Sequence, residues 1–190
     1  MNIIYSLYCL VGDITMNKTM RKTINDISDI IRNALNIEGP IIDIDAIVRS
    51  LNGELREVDS LEEGAEGRIF KNGERFIIEI PKIVNENRRT FTIAHELGHL
   101  FLHMGYLIDQ EMWNENSEIS FFRKDIGEME YQAHEFAASF LMPREEFFRE
   151  IKTNYNGDGS YNIEAVAEFF NVSIEAATNR GKWLGIIAWT

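Results

Sequence analysis

Apolar residues recur at three- and four-residue steps through Ile24, Ile27, Ile30, Ile31, Ala34 and Leu35. That spacing lays one apolar stripe along a helix and predicts one from Thr23 to Asn36, ended by the Gly39-Pro40 pair. A shorter helix is predicted from Asp43, a good N-cap, through Ala46, Ile47 and Leu51, with Asn52-Gly53 as its stop. The period then changes. Leu55 and Val58 alternate with charged residues, and GRIFKNGERFIIEIP carries two β-prone segments about Asn72-Gly73. Asn-Gly is a favoured two-residue hairpin turn, so a hairpin is predicted from Gly67 to Ile80, closed off by Pro81. The acidic residues Glu62, Glu63 and Glu66 before it read as a solvated loop.

The second half reads as helical. One helix is predicted to start near Asn87 and run through Phe91, Ala94, His95, Gly98 and Leu102. Another runs from Gly127 to Met142 and must stop or bend at Pro143. Pro143 suits the first turn of a third, with Glu145 and Glu146 favourable at its positive end. After the Gly/Asn-rich segment TNYNGDGSY, two short helices are predicted at Ile163 to Phe170 and Ser173 to Arg180, about a turn at Asn171-Val172. The fold class is therefore α+β: a small twisted sheet, including the hairpin, packed on several helices. The chain divides into an N-terminal extension (1–20), a main domain (21–160) and a C-terminal helical subregion (161–190) for packing or partner recognition.

Composition narrows the chemistry. The chain has 190 residues, 45% of them hydrophobic, enough for one ordinary core. Its 19 Lys+Arg face 31 Asp+Glu, a net charge of -12 that repels phosphate backbones and anionic membranes. A single cysteine, Cys9, excludes an internal disulfide framework. The first twelve residues are mostly apolar, but no Lys or Arg precedes the run and no small-x-small site follows. They lack the form of an export signal, and a soluble cytoplasmic protein is predicted.

The most informative residues are His95-Glu96-Leu97-Gly98-His99. A four-residue step on a helix is about 400°, so the two imidazoles stand one turn apart, about 40° from each other, and can address one ion. Neutral imidazole is a favoured zinc ligand. Glu96 sits about 100° round the helix, placed to act on water beside the ion as a general base. The third ligand must come from elsewhere. His103 lies about 12 Å along a continuous helix from His95, too far to share an ion, and reads as a helix-end residue or a hydrogen-bond partner of a ligand. In EYQAHEFA, small Ala133, Ala137 and Ala138 let the second helix approach the first closely, and Glu130 then projects between them. Glu128 and Glu135 are the competing carboxylates. His134, one turn after Glu130, can hydrogen-bond a ligand.

RRTFTIAHELGHLFLH, followed after a gap by EYQAHEFAASFLMP, resembles the ImmA/IrrE metallopeptidases, compact gluzincin-like proteins of bacteria and their mobile elements. The resemblance is close over Arg88 to Pro143 and recognisable over residues 20 to 185. It implies a zincin-like fold, a bound Zn2+ held by His95, His99 and Glu130, and Glu96 as the catalytic residue. It also implies a site-specific endopeptidase acting on a protein partner, a helix-turn-helix repressor of a mobile element or stress response encoded nearby. The chain departs from the family pattern at His134, where Asn or Asp is usual. The oxyanion-stabilising residue is open among His103, Tyr106, Tyr155 and Tyr161. An extended substrate is expected to add along the hairpin edge at Phe76 to Ile80.

Two other classes compete. One is a zinc-containing interaction protein that binds a repressor or toxin without cutting it. The other is a DNA-binding regulator, because AVAEFFNVSIEAATNR has helix-turn-helix spacing. Against the second, Glu164, Glu168 and Glu175 oppose only Arg180 and Lys182 in that tail.

Overall fold

A computed structural model of the chain describes residues 18–61, 65–82, 85–115 and 126–188. Most of the N-terminal extension, together with Glu62 and Glu63, lies outside them. The structure is α+β, with eight helices and one three-stranded sheet among the described residues.

Helix α1 (Lys18–Ala34) buries Met20, Ile24 and Ile31, whereas Ile30 and Ala34 of the expected stripe face solvent, and the chain is already helical at Lys18, the first described residue. Asn36, at a φ of 53°, turns the chain out of it. Helix α2 (Ile44–Ser50) is capped by Asp43, whose carboxylate accepts from Ala46 N. Strand β1 (Gly53–Val58) follows at once, then β2 (Arg68–Asn72) and β3 (Arg75–Pro81). The hairpin forms, but its turn is Gly73-Glu74: Asn72 is still paired with Arg75, and of the loop residues Gly73 takes the positive φ, 64°.

The strand order is β1-β3-β2, with β3 parallel to β1 and antiparallel to β2. This corrects the expected docking edge. Phe76 to Ile80 lie on the central strand, whose two edges are both taken, and every one of these residues is buried. A strand covered on both faces reads as a continuous apolar run rather than an alternating one. The unpaired edges among the described residues belong to β1 and β2.

Helix α3 (Glu86–Leu102), capped by the Asn85 side chain, crosses beneath the sheet and is buried continuously from Thr92 to Phe101. A short unanticipated helix, α4 (Gln110–Glu115), sets Trp113 against Tyr106. Helix α5 (Ile126–Leu141) packs along α3. Their approach is set by Gly98: a Cβ there would stand 3.0 Å from the Cα and carbonyl oxygen of Ala133. Helix α6 (Arg144–Thr153) starts after Pro143, which occupies the N-cap position with Glu145 and Glu146 in the first turn. Helices α7 (Ile163–Phe170) and α8 (Ile174–Trp183) meet at Asn171, in the left-handed region. Val166, Phe170 and Ala177 from these two belong to the same apolar cluster as β3 and α3.

Candidate metal centre

His95 and His99 lie on the buried middle of α3, and the ring centroids are 4.7 Å apart. Their Nε2 atoms face each other at 3.1 Å. Glu130, from the second turn of α5, meets both: Oε2 is 3.1 Å from His95 Nε2, and Oε1 is 3.3 Å from His99 Nε2. Close packing at Gly98 and Ala133 is what brings this carboxylate over the histidines. The two rings hold Glu130 well below the usual carboxylate range, while burial lowers His99 and favours its neutral form. The two rings and the carboxylate thus converge on one point, with all the ligand atoms within 4.8 Å of one another. That donor set fits a divalent cation, and two nitrogens with one carboxylate suit zinc.

Glu96 is buried beside this group. Burial is the main reason that its carboxyl is pushed up to about 7; His95 opposes the rise and Glu130 adds to it. Its seat is shaped by Gly67, just ahead of β2, where a Cβ would come within 2.5 Å of Glu96 Oε1.

The remaining sequence candidates divide. Glu135 is engaged elsewhere: Oε2 accepts from Arg21 Nε at 3.0 Å, and Oε1 accepts from Asn25 at 2.6 Å and Arg180 at 3.1 Å. His134 does not take up a ligand as expected. Its Nδ1 is 2.9 Å from the Glu130 carbonyl oxygen, its ring stands edge-on to His95 at 4.5 Å, and His95 Nδ1 is buried with no hydrogen-bond partner among the described residues. The competing acceptor is simply nearer, since a helical residue always has the carbonyl of residue i−4 within reach. His103, at the C-cap of α3, is 3.0 Å from His99 through their Nδ1 atoms and 3.1 Å from Gln132 Oε1 through Nε2. Gln132 carried no role in the sequence reading; a polar residue on the α5 face that packs against α3 was the available signal.

Tyr106 points away from the centre and donates to the Leu51 carbonyl. Tyr155 and Tyr161 pack against each other at a tilt of 54° beyond α6, so none of the three tyrosines stands at the histidines. Beside Glu130 and His134 a cleft of about 1030 Å³ opens between the start of α3, the outer face of α5 and α8. Phe91, Tyr131, Ala176 and Trp183 give it an apolar lining, with Asn87 and Asn179 among its polar groups. Arg180 is 2% exposed and bonded to Glu135 and Met142 O, so it offers nothing to a phosphate backbone.

Residues 51–182 match the family described as peptidase M78, IrrE N-terminal-like domain. No match is found among curated proteins. Of solved structures, a Mycobacterium tuberculosis transcriptional regulator is similar in fold, with a TM-score of 0.55 at 16% identity; the likeness covers 83% of this chain and 45% of that protein.

Proposed function

Because the chain belongs to the peptidase M78 family, the IrrE N-terminal-like domain, we propose that it is a zinc-dependent endopeptidase cutting one bond in a protein partner. The observation that carries this reading is the convergence of His95, His99 and Glu130 at 3.1 and 3.3 Å next to the buried Glu96. A divalent cation held by the three side chains supplies Lewis-acid chemistry, polarising a carbonyl and acidifying water. Glu96 takes the proton from the attacking water and delivers it to the amide nitrogen as the C–N bond breaks. A purely structural ion has no use for a base in that place, which favours the enzyme over the non-cutting interaction protein. The buried Arg180 and the charge of -12 weigh against a DNA-binding role.

The substrate strand adds along the outer edge of β2 in this reading, because that edge is unpaired among the described residues and Gly67 at its start abuts Glu96. The cleft bordered by α8 takes the flanking residues, giving the region from residue 161 a part in partner recognition. The partner is a helix-turn-helix repressor of a mobile element or stress response, and the setting is the cytoplasm. Family resemblance supports the partner; for the setting, no described helix is long and apolar enough to cross a membrane.

Co-expression with the product of the adjacent gene, followed by mass mapping, tests the proposal. The wild-type protein is expected to yield one cleaved bond. Glu96→Gln retains the metal but cuts about 10²- to 10⁴-fold more slowly. Full biological activity in Glu96→Gln would overturn the enzyme and leave the interaction protein.

A further inference from the structure

We propose that the cleft between α3, α5 and α8 selects the bond to be cut, by seating a large apolar side chain of the partner beside the scissile bond. The inference rests on the peptidase reading above and deepens it, since it names the chemistry of the residue selected. Two observations carry it: the cleft shares a wall with the metal centre, and its arginines are already committed within the protein.

Glu130 and His134 border the cleft at its inner end, where Glu130 also meets His95 and His99. From there a line of rings leads outward. The His95 and His134 centroids are 4.5 Å apart, and those of His134 and Phe91 are 5.7 Å apart. Beyond Phe91 the lining continues through Ala138, Val172 and Ala176 to Trp183. A polypeptide with its carbonyl at the histidines is thereby placed to lay a neighbouring side chain on Phe91. The volume, about 1030 Å³, stands at the top of the range of about 300–1,000 Å³ usual for ligand pockets, room for a short stretch of chain.

Arg21, Arg88 and Arg180 line the same cleft and would by themselves call for an acidic occupant. Each is spent. Arg180 is buried and donates to Glu135, to the Met142 carbonyl and to Asn25. Arg21 donates to Glu135 at 3.0 Å and lays its guanidinium 3.8 Å over the Trp183 ring, a stack that holds the indole as a wall. Arg88 donates to Glu66 at 2.6 Å. Glu175 is exposed at the rim, where water and salt screen it. A carboxylate or ammonium entering the cleft therefore loses hydration without gaining a partner, whereas an apolar side chain gains by leaving water. Asn87 and Asn179 offer their amides to the backbone of the occupant.

Titrating the full chain, without added metal, with the N-acetyl amides of leucine, phenylalanine, aspartate and lysine tests the selection by ¹⁵N NMR. The leucine and phenylalanine probes are expected to shift the Ala176 and Asn179 amides and the Trp183 indole N–H; the charged probes are not. Ala176→Phe fills the cleft and should abolish those shifts. Trp183→Ala removes the outer wall and should weaken the same probes, so the test survives if the larger residue disturbs α8. Glu66→Gln releases Arg88 and should strengthen the aspartate probe about two- to fivefold, the worth of one exposed ion pair. A charged probe binding as tightly as leucine in the wild-type cleft, or leucine shifts that survive both Ala176→Phe and Trp183→Ala, would overturn the proposal. With zinc restored, the bond cut in the adjacent gene's product is expected to have a large apolar residue beside it, and a charged residue on each side would overturn the proposal too. Absence of any cut would defeat the peptidase reading instead, and the titrations would still decide the cleft.

Discussion

Two carboxylates on α5, five residues apart, Glu135 buried and Glu130 half-exposed, have opposite surroundings. Glu135 faces resident cations: Arg21 and Arg180 and the Asn25 amide take up both of its oxygens. Glu130 faces two imidazoles and, among the described residues, forms no ion pair with an arginine or lysine. One acid is completed by the chain and serves as a clamp among α1, α5 and α8; the other is left for something the chain does not contain. Electrostatic need, more than motif position, marks Glu130 as the site.

Exchanging the effects of these two acids is the sharpest way to break the comparison. Glu135→Ala is expected to cost about 3–5 kcal/mol of stability, because it strands Arg180 in the interior, while any folded fraction still gains from metal. Glu130→Ala should do the reverse. Its metal-free unfolding midpoint falls less than that of Glu135→Ala, because the lost contacts are half-exposed, and the stabilisation by added zinc, about 4 kcal/mol at a thousand-fold excess over Kd, disappears. Denaturant unfolding with and without zinc measures both.

The next effect is a pH dependence. Glu96 has its carboxyl raised to about 7 in the metal-free protein, above its ordinary 4.5, so the folded state holds a proton that the unfolded chain has lost. Its contribution is therefore present below 4.5 and is lost as pH rises through 7. Glu96→Gln escapes that loss and should gain on wild type by up to about 3 kcal/mol between pH 4.5 and 8. Saturating zinc, by favouring the carboxylate, should close the gap. A gap independent of pH would show that Glu96 is not the buried acid described.

The smallest expected change probes the contact that delivers Glu130. Gly98→Ala pushes a methyl group against the Ala133 backbone, at about 1–3 kcal/mol. Because α5 must yield, zinc affinity should fall by more than the stability change alone would give. Equal changes in both would mean that α5 tolerates the shift without carrying Glu130 away.

Local periodicity made most elements legible. The stripe of α1, the Asp43 cap and the His95–His99 pair each depend on neighbours within one or two turns. What failed depended on distant partners. The hairpin was readable, yet its turn slid to Gly73-Glu74, because strand register decides which residues remain paired. Phe76 to Ile80 looked like an edge, although a run with Phe76, Ile77, Ile78 and Ile80 all buried is the mark of a central strand. At the site, Glu128 and Glu135 compete with Glu130 on sequence alone, and the docking of α5 on α3 brings Glu130 to the histidines while Glu135 pairs with Arg21 and Arg180. His134 turned to its own helix because a carbonyl was closer than the ligand, and Gln132 had no visible purpose until His103 stood opposite it.

Gly67 couples the hairpin to Glu96. A Cβ at that position would come within 2.5 Å of Glu96 Oε1, the end of a flexible side chain, so a larger residue there obliges the carboxylate to turn aside while the strand keeps its place.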